Sequence, residues 1–262
     1  MYFNRVKYNN IALAILFMMG SDTLLAASNP IHNANTSLKS TARMFNYLKQ
    51  GHTQLQLGGY WGSQGKAQHI NIDGLIGDDF TVSNSNNSNA LVGLGYFIDG
   101  PVKPTFNLSY GLNFFYLPTT SVAGTVVQEG FFTNLSYRYN VTHYPLLAIA
   151  KSTIDLHSTR LALTVDAGIG PNFMATKGFQ ERSLDGITLP DSMFSGKTTT
   201  TFSATAGVGM KFNQVFGETP LECGYRFFYL GQGHFNVINS QVSTTLKTGN
   251  AYANAMVCSL TI

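Results

Sequence analysis

Phe106-Asn107-Leu108-Ser109-Tyr110-Gly111-Leu112-Asn113-Phe114-Phe115-Tyr116 alternates with a period of two. Its even-numbered residues are all large and apolar or aromatic, and its odd-numbered ones are mostly Asn, Ser and Gly. Successive side chains of a strand point to opposite faces, so this segment predicts a strand with one apolar face. In a soluble sheet a second layer covers that face. Here it is rich in aromatics while the other face is small and polar, the polarity of a barrel with lipid outside and a polar interior.

The pattern recurs. Eight strand signals follow His52, at 53–62, 89–98, 105–117, 131–142, 159–170, 200–212, 220–231 and 250–262; the fourth can run on past Pro145 toward Ala150. Long connectors rich in Asn, Ser, Gly and Thr, at 63–88, 171–199 and 232–249, contrast with short ones at 99–104 and 213–219, and 118–129 is intermediate. Short turns on one rim and longer loops on the other, with an even strand count, fit an antiparallel up-and-down barrel whose short turns face the periplasm. Hydrocarbon offers backbone groups no hydrogen bonds, so a spanning sheet has to close on itself.

Composition agrees. Charged residues make up 11% of the chain, less than half of the roughly 25% usual in soluble domains. The net charge of +3 is small and dispersed, and no Lys/Arg cluster interleaves with aromatics, which excludes nucleic acid as a partner. Residues 1–27 have the layout of a secretory signal peptide: Arg5 and Lys7, an apolar core from Ile11 to Met19, and Leu24-Leu25-Ala26-Ala27 for cleavage. Residues 28–50 read as a periplasmic leader, with Thr36 or Ser37 available to cap a short helix carrying Leu38, Ala42, Phe45 and Leu48 on one side. The barrel is assigned to 51–262.

Leu221-Glu222-Cys223-Gly224-Tyr225-Arg226-Phe227-Phe228-Tyr229-Leu230-Gly231 resembles the penultimate strand of the OmpA-like small outer-membrane β-barrel family. Asp166-Ala167-Gly168-Ile169-Gly170 is similar to that family's fifth strand, and Val92-Gly93-Leu94-Gly95-Tyr96 to its second. The resemblance covers roughly residues 50–262 and implies a single eight-stranded transmembrane barrel, integral to the outer membrane of a Gram-negative bacterium. It says almost nothing about activity.

Six charges are placed inward by this register: Arg138, Arg160, Asp166, Lys211, Glu222 and Arg226. A small barrel is filled by side chains, and buried charges must pair. Contacts are therefore expected among Arg138, Asp166, Glu222 and Arg226, occluding the lumen; the sharper alternative is a narrow gated channel whose pairs exchange. Tyr96, Tyr110, Phe114, Tyr116, Tyr137, Tyr139, Tyr225, Tyr229 and Tyr252 are placed outward as interfacial girdles. Cys223 and Cys258 fall on the outer face of the last two strands and read as two separate lipid-facing thiols, since a bridge needs one particular register. None of His32, His52, His69, His143, His157 and His234 stands beside a Ser and a carboxylate at a recognisable spacing, so no catalytic residue is assigned. No cofactor and no metal ligand set is expected. The expected role is structural or surface-interacting, adhesin-like, with outer-membrane lipid and lipopolysaccharide around the barrel and an extracellular or host ligand met through loops 63–88, 171–199 and 232–249.

Overall fold

The computed structural model describes residues 51–262 apart from Pro104, His157, Thr159 and Glu218. The expected signal peptide (1–27), the expected leader with its short helix (28–50), His32 and His157 lie outside the described residues. Twelve strands follow in order: β1 (His52–Ser63), β2 (Gln68–Ile70), β3 (Asp78–Phe80), β4 (Asn86–Val102), β5 (Phe106–Gln128), β6 (Phe132–Asp155), β7 (Leu161–Ser183), β8 (Phe194–Ser195), β9 (Thr198–Phe216), β10 (Thr219–His234), β11 (Asn236–Val237) and β12 (Lys247–Thr261).

Eight of them form a closed antiparallel ring, β1-β4-β5-β6-β7-β9-β10-β12. It closes because β1 is paired on both sides, with Leu55 opposite Leu94 on β4 and opposite Leu260 on β12. No free edge remains in the wall, the condition for a sheet to sit in hydrocarbon. The other four strands build the far rim. β3 takes over the edge of β5 that β4 leaves free, pairing Asp78 with Gln128 and Phe80 with Val126, and β2 pairs with β3. β8 and β11 form a separate two-stranded bridge.

The eight expected strands are present, but three are much longer than their sequence signals: β5, β6 and β7 have 23, 24 and 23 residues. At about 3.4 Å per residue, 24 residues reach about 80 Å. Tilted by about 40° they still rise about 60 Å, twice the roughly 30 Å of a bilayer core. The upper halves of these strands therefore stand above the membrane. Residues 118–128 and 171–183, expected as loop, belong to the wall. The β5–β6 connection shrinks to a tight turn in which Glu129 (φ 52°) and Gly130 (φ 72°) both take positive φ, the conformation whose twist matches a hairpin.

Crossing the membrane boundary inverts the polarity of the wall. In the lower half the outward side chains are apolar and exposed, among them Leu57, Leu94, Tyr110, Phe114, Val165, Val208, Tyr225 and Met256. The inward ones there are polar and buried: Gln54, Gln56, Asn113, Lys151, Thr164, Asp166, Arg226 and Ser259. In the upper half the apolar set turns inward, with Val122, Val126, Leu135, Tyr137, Tyr139 and Val141 all buried. Beside them Ser136, Arg138 and Asn140 take the opposite face. On β5 the switch is made by a register shift between Leu117 and Thr120. The outward placement of Tyr137 and Tyr139 and the inward placement of Arg138 are thus corrected. Water, not lipid, surrounds this part of the wall, so the apolar side seeks the interior.

Candidate functional site

Two ion pairs from facing strands lie buried in the lower lumen. Lys151 on β6 reaches Glu222 on β10, with Nζ 2.9 Å from Oε2 and 3.1 Å from Oε1, and also donates to Gln54 Oε1 at 3.1 Å. Thr164 on β7 donates to Glu222 Oε1 at 3.0 Å, and the Lys151 ammonium lies 5.0 Å from the centre of the Phe97 ring. Further along β10, Arg226 donates to Asp166 Oδ2 on β7 at 2.7 Å and to Thr205 Oγ1 at 3.4 Å. Its guanidinium sits 5.5 Å from the centre of the Phe115 ring. Gly207, opposite both Asp166 and Arg226, makes room: a Cβ there would stand 3.0 Å from Asp166 Oδ2 and 3.3 Å from Arg226 Nη2. Neutral amides continue the filling upward. Gln56 donates to Asn113 Oδ1 at 3.1 Å, Gln64 donates to Thr120 Oγ1 at 2.8 Å, and the Asn172 amide links His143 (3.1 Å) to the Leu230 carbonyl (2.7 Å).

Above this polar layer a cluster of aromatic rings packs inside the barrel. Phe80 packs against Tyr137, Phe179 and Phe194 at centroid distances of 5.1, 6.4 and 6.0 Å. Phe235 packs against Tyr139 at 4.9 Å and against Phe179 at 5.9 Å. Strands β3, β6 and β7 and the segments around β8 and β11 each supply a ring. The short rim strands are what carry Phe80 and Phe194 into the interior.

Of the residues the sequence placed in the lumen, Asp166, Glu222 and Arg226 meet there in the pairs just described. Lys211 lies on the inward face directly opposite Glu222, half-buried. Arg160 is exposed beside the short β6–β7 connection, where its carbonyl accepts from Asn213 N at 2.9 Å. Arg138 is exposed on the upper outer wall, for the reason given above. Lys151 takes the place expected of it, and the sequence reading missed it. Its position shares the odd-numbered face of β6 with Tyr137, Tyr139, Leu147 and Ile149, all buried, the face that the sequence pattern placed outward. Tyr110, Phe114, Tyr116, Tyr225 and Tyr252 are exposed on the outer face, and Tyr96 and Tyr229 share that face half-buried. Tyr116 stacks on Tyr144 at 5.4 Å and Tyr229 meets Tyr252 at 5.5 Å, near the level where the polarity inverts.

Cys223 and Cys258 stand directly opposite each other on β10 and β12, with Cα atoms 4.1 Å apart, and form a disulfide. The expectation of two separate thiols is corrected. The register that a bridge needs is the one that β10 and β12 adopt.

The extracellular rim holds a second polar group. Asp78 on β3 and Glu181 on β7 are 2% and 7% exposed. Burial pushes the Asp78 carboxyl up to about 6, opposed by a hydrogen bond from the Glu129 backbone and reinforced by the charges of Asp191 and Glu129. Burial likewise raises Glu181, although Ser192 N donates to its Oε2 at 2.8 Å. The neighbouring His69 bonds Asp79 Oδ1 through Nδ1 at 2.8 Å and the Ile76 carbonyl through Nε2 at 3.0 Å. The hydrogen bond to Asp79 raises its pKa. Both ring nitrogens are engaged, so His69 pins the β2–β3 turn and offers neither to a nucleophile.

No family of known domains and no curated protein matches this sequence. Among solved structures, the chain is similar to Neisserial surface protein A, at 11% identity and a TM-score of 0.42, over 81% of this chain and 96% of that one. It is similar to the outer membrane protein OprG from Pseudomonas aeruginosa, at 13% identity and a TM-score of 0.44, over 81% and 98%. It is also similar to the outer membrane protease OmpT from Escherichia coli, at 7% identity and a TM-score of 0.45, over 80% and 95%.

Proposed function

We propose that this chain is an integral outer-membrane protein whose barrel is a sealed, rigid mount for an extracellular crown that binds a partner outside the cell. The observation that supports the reading is that buried ion pairs lie across the lower lumen and packed aromatic rings across the upper. The crown is itself tied together. Asp73 N donates to the Gln241 carbonyl at 2.8 Å and Ser243 N to that of Asn71 at 3.0 Å, while Ile238 N donates to the Met193 carbonyl at 3.0 Å. It also leaves apolar side chains exposed at its tips, with Leu75, Ile76, Phe131, Ile187, Leu189 and Ile238 all more than half exposed. Such residues, held on ordered backbone, suit contact with another macromolecule. The lower belt contacts lipid and lipopolysaccharide, and no catalytic role is assigned.

Planar-bilayer recording separates this reading from a narrow channel. The wild-type protein is expected to be silent. Glu222→Ala is expected to stay silent as well, because the aromatic layer still closes the lumen above the broken pair. Discrete conductance in the wild type, altered by Glu222→Ala, would establish the channel reading instead.

A further inference from the structure

The outer face of the wall changes chemistry in a fixed order as it leaves the membrane, most clearly on β6 and β7. Climbing β6, the side chains on this face include Leu146, Tyr144, Asn140 and Arg138; climbing β7 they include Ile169, Phe173, Lys177 and Arg182. Tyr144 stands directly opposite Phe173, and Tyr116 stacks on Tyr144 from β5 at 5.4 Å. That row of rings marks the interface, where aromatic side chains collect.

Above the rings the wall turns basic. Lys177 lies opposite Asn140, Arg138 opposite Gln180, and Arg182 opposite Ser136. Arg138 therefore has Lys177 on one diagonal and Arg182 on the other, a relation of about 7–8 Å across which long side chains still meet. A bulge brings all three to one face. Gly178 takes a φ of 61° where the register shifts between Arg138 and Asn140, so that Lys177, Gln180 and Arg182 all point outward. The three cations are exposed, and among the described residues none forms an ion pair with a carboxylate. Their neighbours on this face, Ser136, Asn140 and Gln180, are neutral hydrogen-bonding groups. Positive charge gathered without a counter-charge in the chain fits an anionic partner.

The height of the patch selects the anion. Along β6 its three rungs lie four, six and eight residues above Tyr144, a rise of about 10, 16 and 21 Å at about 3.4 Å per residue and a tilt of about 40°. The headgroups of a phospholipid bilayer add only about 5–7 Å to each side of the hydrocarbon core. The two arginines stand beyond that layer.

We propose that Arg138, Lys177 and Arg182 bind the phosphate groups of an outer-leaflet glycolipid, whose saccharide headgroup is tall enough to carry charge to this level. The inference takes the lipopolysaccharide contact of the lower belt to named residues and rests on that reading. The two surfaces are continuous. Tyr116, Tyr144 and Phe173 cover the base of the lipid, and the basic rungs above them hold its headgroup, each guanidinium able to take two phosphate oxygens at once.

The test titrates fluorescent lipopolysaccharide in mixed micelles against the full-length protein, folded in detergent and immobilised. The wild type should bind saturably. Combining Arg138→Gln, Lys177→Gln and Arg182→Gln should weaken binding by at least about tenfold. Lys66→Gln with Lys247→Gln should leave it unchanged, since these exposed cations belong to the β1 and β12 side, across the ring from β6 and β7. Enzymatically dephosphorylated lipopolysaccharide should bind the wild type at least about tenfold more weakly, and phosphatidylglycerol should not displace the intact glycolipid. The proposal is overturned if the triple variant or the dephosphorylated lipid binds as well as the native pair, or if phosphatidylglycerol competes on equal terms. Heat-modifiable migration keeps the two readings apart. A wild type that shows no shift overturns the membrane reading itself, whereas a folded, shifting wild type that fails to bind overturns the patch alone.

Discussion

Arg226→Ala lowers the stability of the barrel by about 3–5 kcal/mol, because it strands Asp166 as a buried charge without its partner. The pair is shielded on both sides, with the Arg226 side chain 8% and that of Asp166 4% exposed. Thr205 cannot replace a guanidinium as the source of positive charge. Urea unfolding in lipid vesicles, followed by the fluorescence of Trp61, measures the loss; Trp61 is the only tryptophan and lies exposed on the outer face. The double variant Arg226→Ala, Asp166→Ala should recover most of the loss, since it removes both charges. Arg138→Ala is the contrast. Its side chain stands in water on the upper wall, so the change should stay within about 0.5 kcal/mol. A large effect at Arg138 and none at Arg226 would reverse the assignment of the lumen.

Phe80→Ala acts on the rim rather than on the barrel. The ring is fully buried among Tyr137, Phe179 and Phe194, and deleting a buried phenylalanine costs about 3–5 kcal/mol. The loss should appear as local opening, because β3 is held to the wall by three residues of ladder and a few hydrogen bonds. Limited trypsin digestion reads it out: cleavage at Lys66 and Lys197 should accelerate by at least about a hundredfold, the equivalent of about 3 kcal/mol, while heat-modifiable migration of the barrel stays normal. Unchanged cleavage would mean that Phe80 is not what fastens β3.

The ring of eight strands was legible in the sequence because a period of two survives any tertiary context. Val92, Leu94 and Tyr96 against Gly93, Gly95 and Phe97 could be assigned to faces without knowing their neighbours. Periodicity sorts residues into two faces but does not say which face is inside. That sign depends on the solvent outside, and it changes between Tyr116 and Val122 on β5. In Leu135-Ser136-Tyr137-Arg138-Tyr139-Asn140 the alternation is as clean as in the membrane, so lipid-based polarity reads it backwards. Lys151 was missed for the same reason, since it shares the face of β6 with Tyr137 and Tyr139 that lipid-based polarity turned outward. The disulfide needed a register that sequence leaves free. The rim strands were invisible because the 63–88 connection folds back as β3 along β5 only once the barrel wall is in place.

Site-directed spin labels at positions 110 and 138, scored by collision with oxygen and with a water-soluble nickel chelate, test the inversion most directly. Both side chains are exposed on the outside of the wall. The label at 110 should meet oxygen and exclude nickel, as in acyl chains, while the label at 138 should meet nickel freely, as in bulk water. A label at 138 shielded from both reagents would put Arg138 back in the lumen and contradict the change of polarity along the barrel.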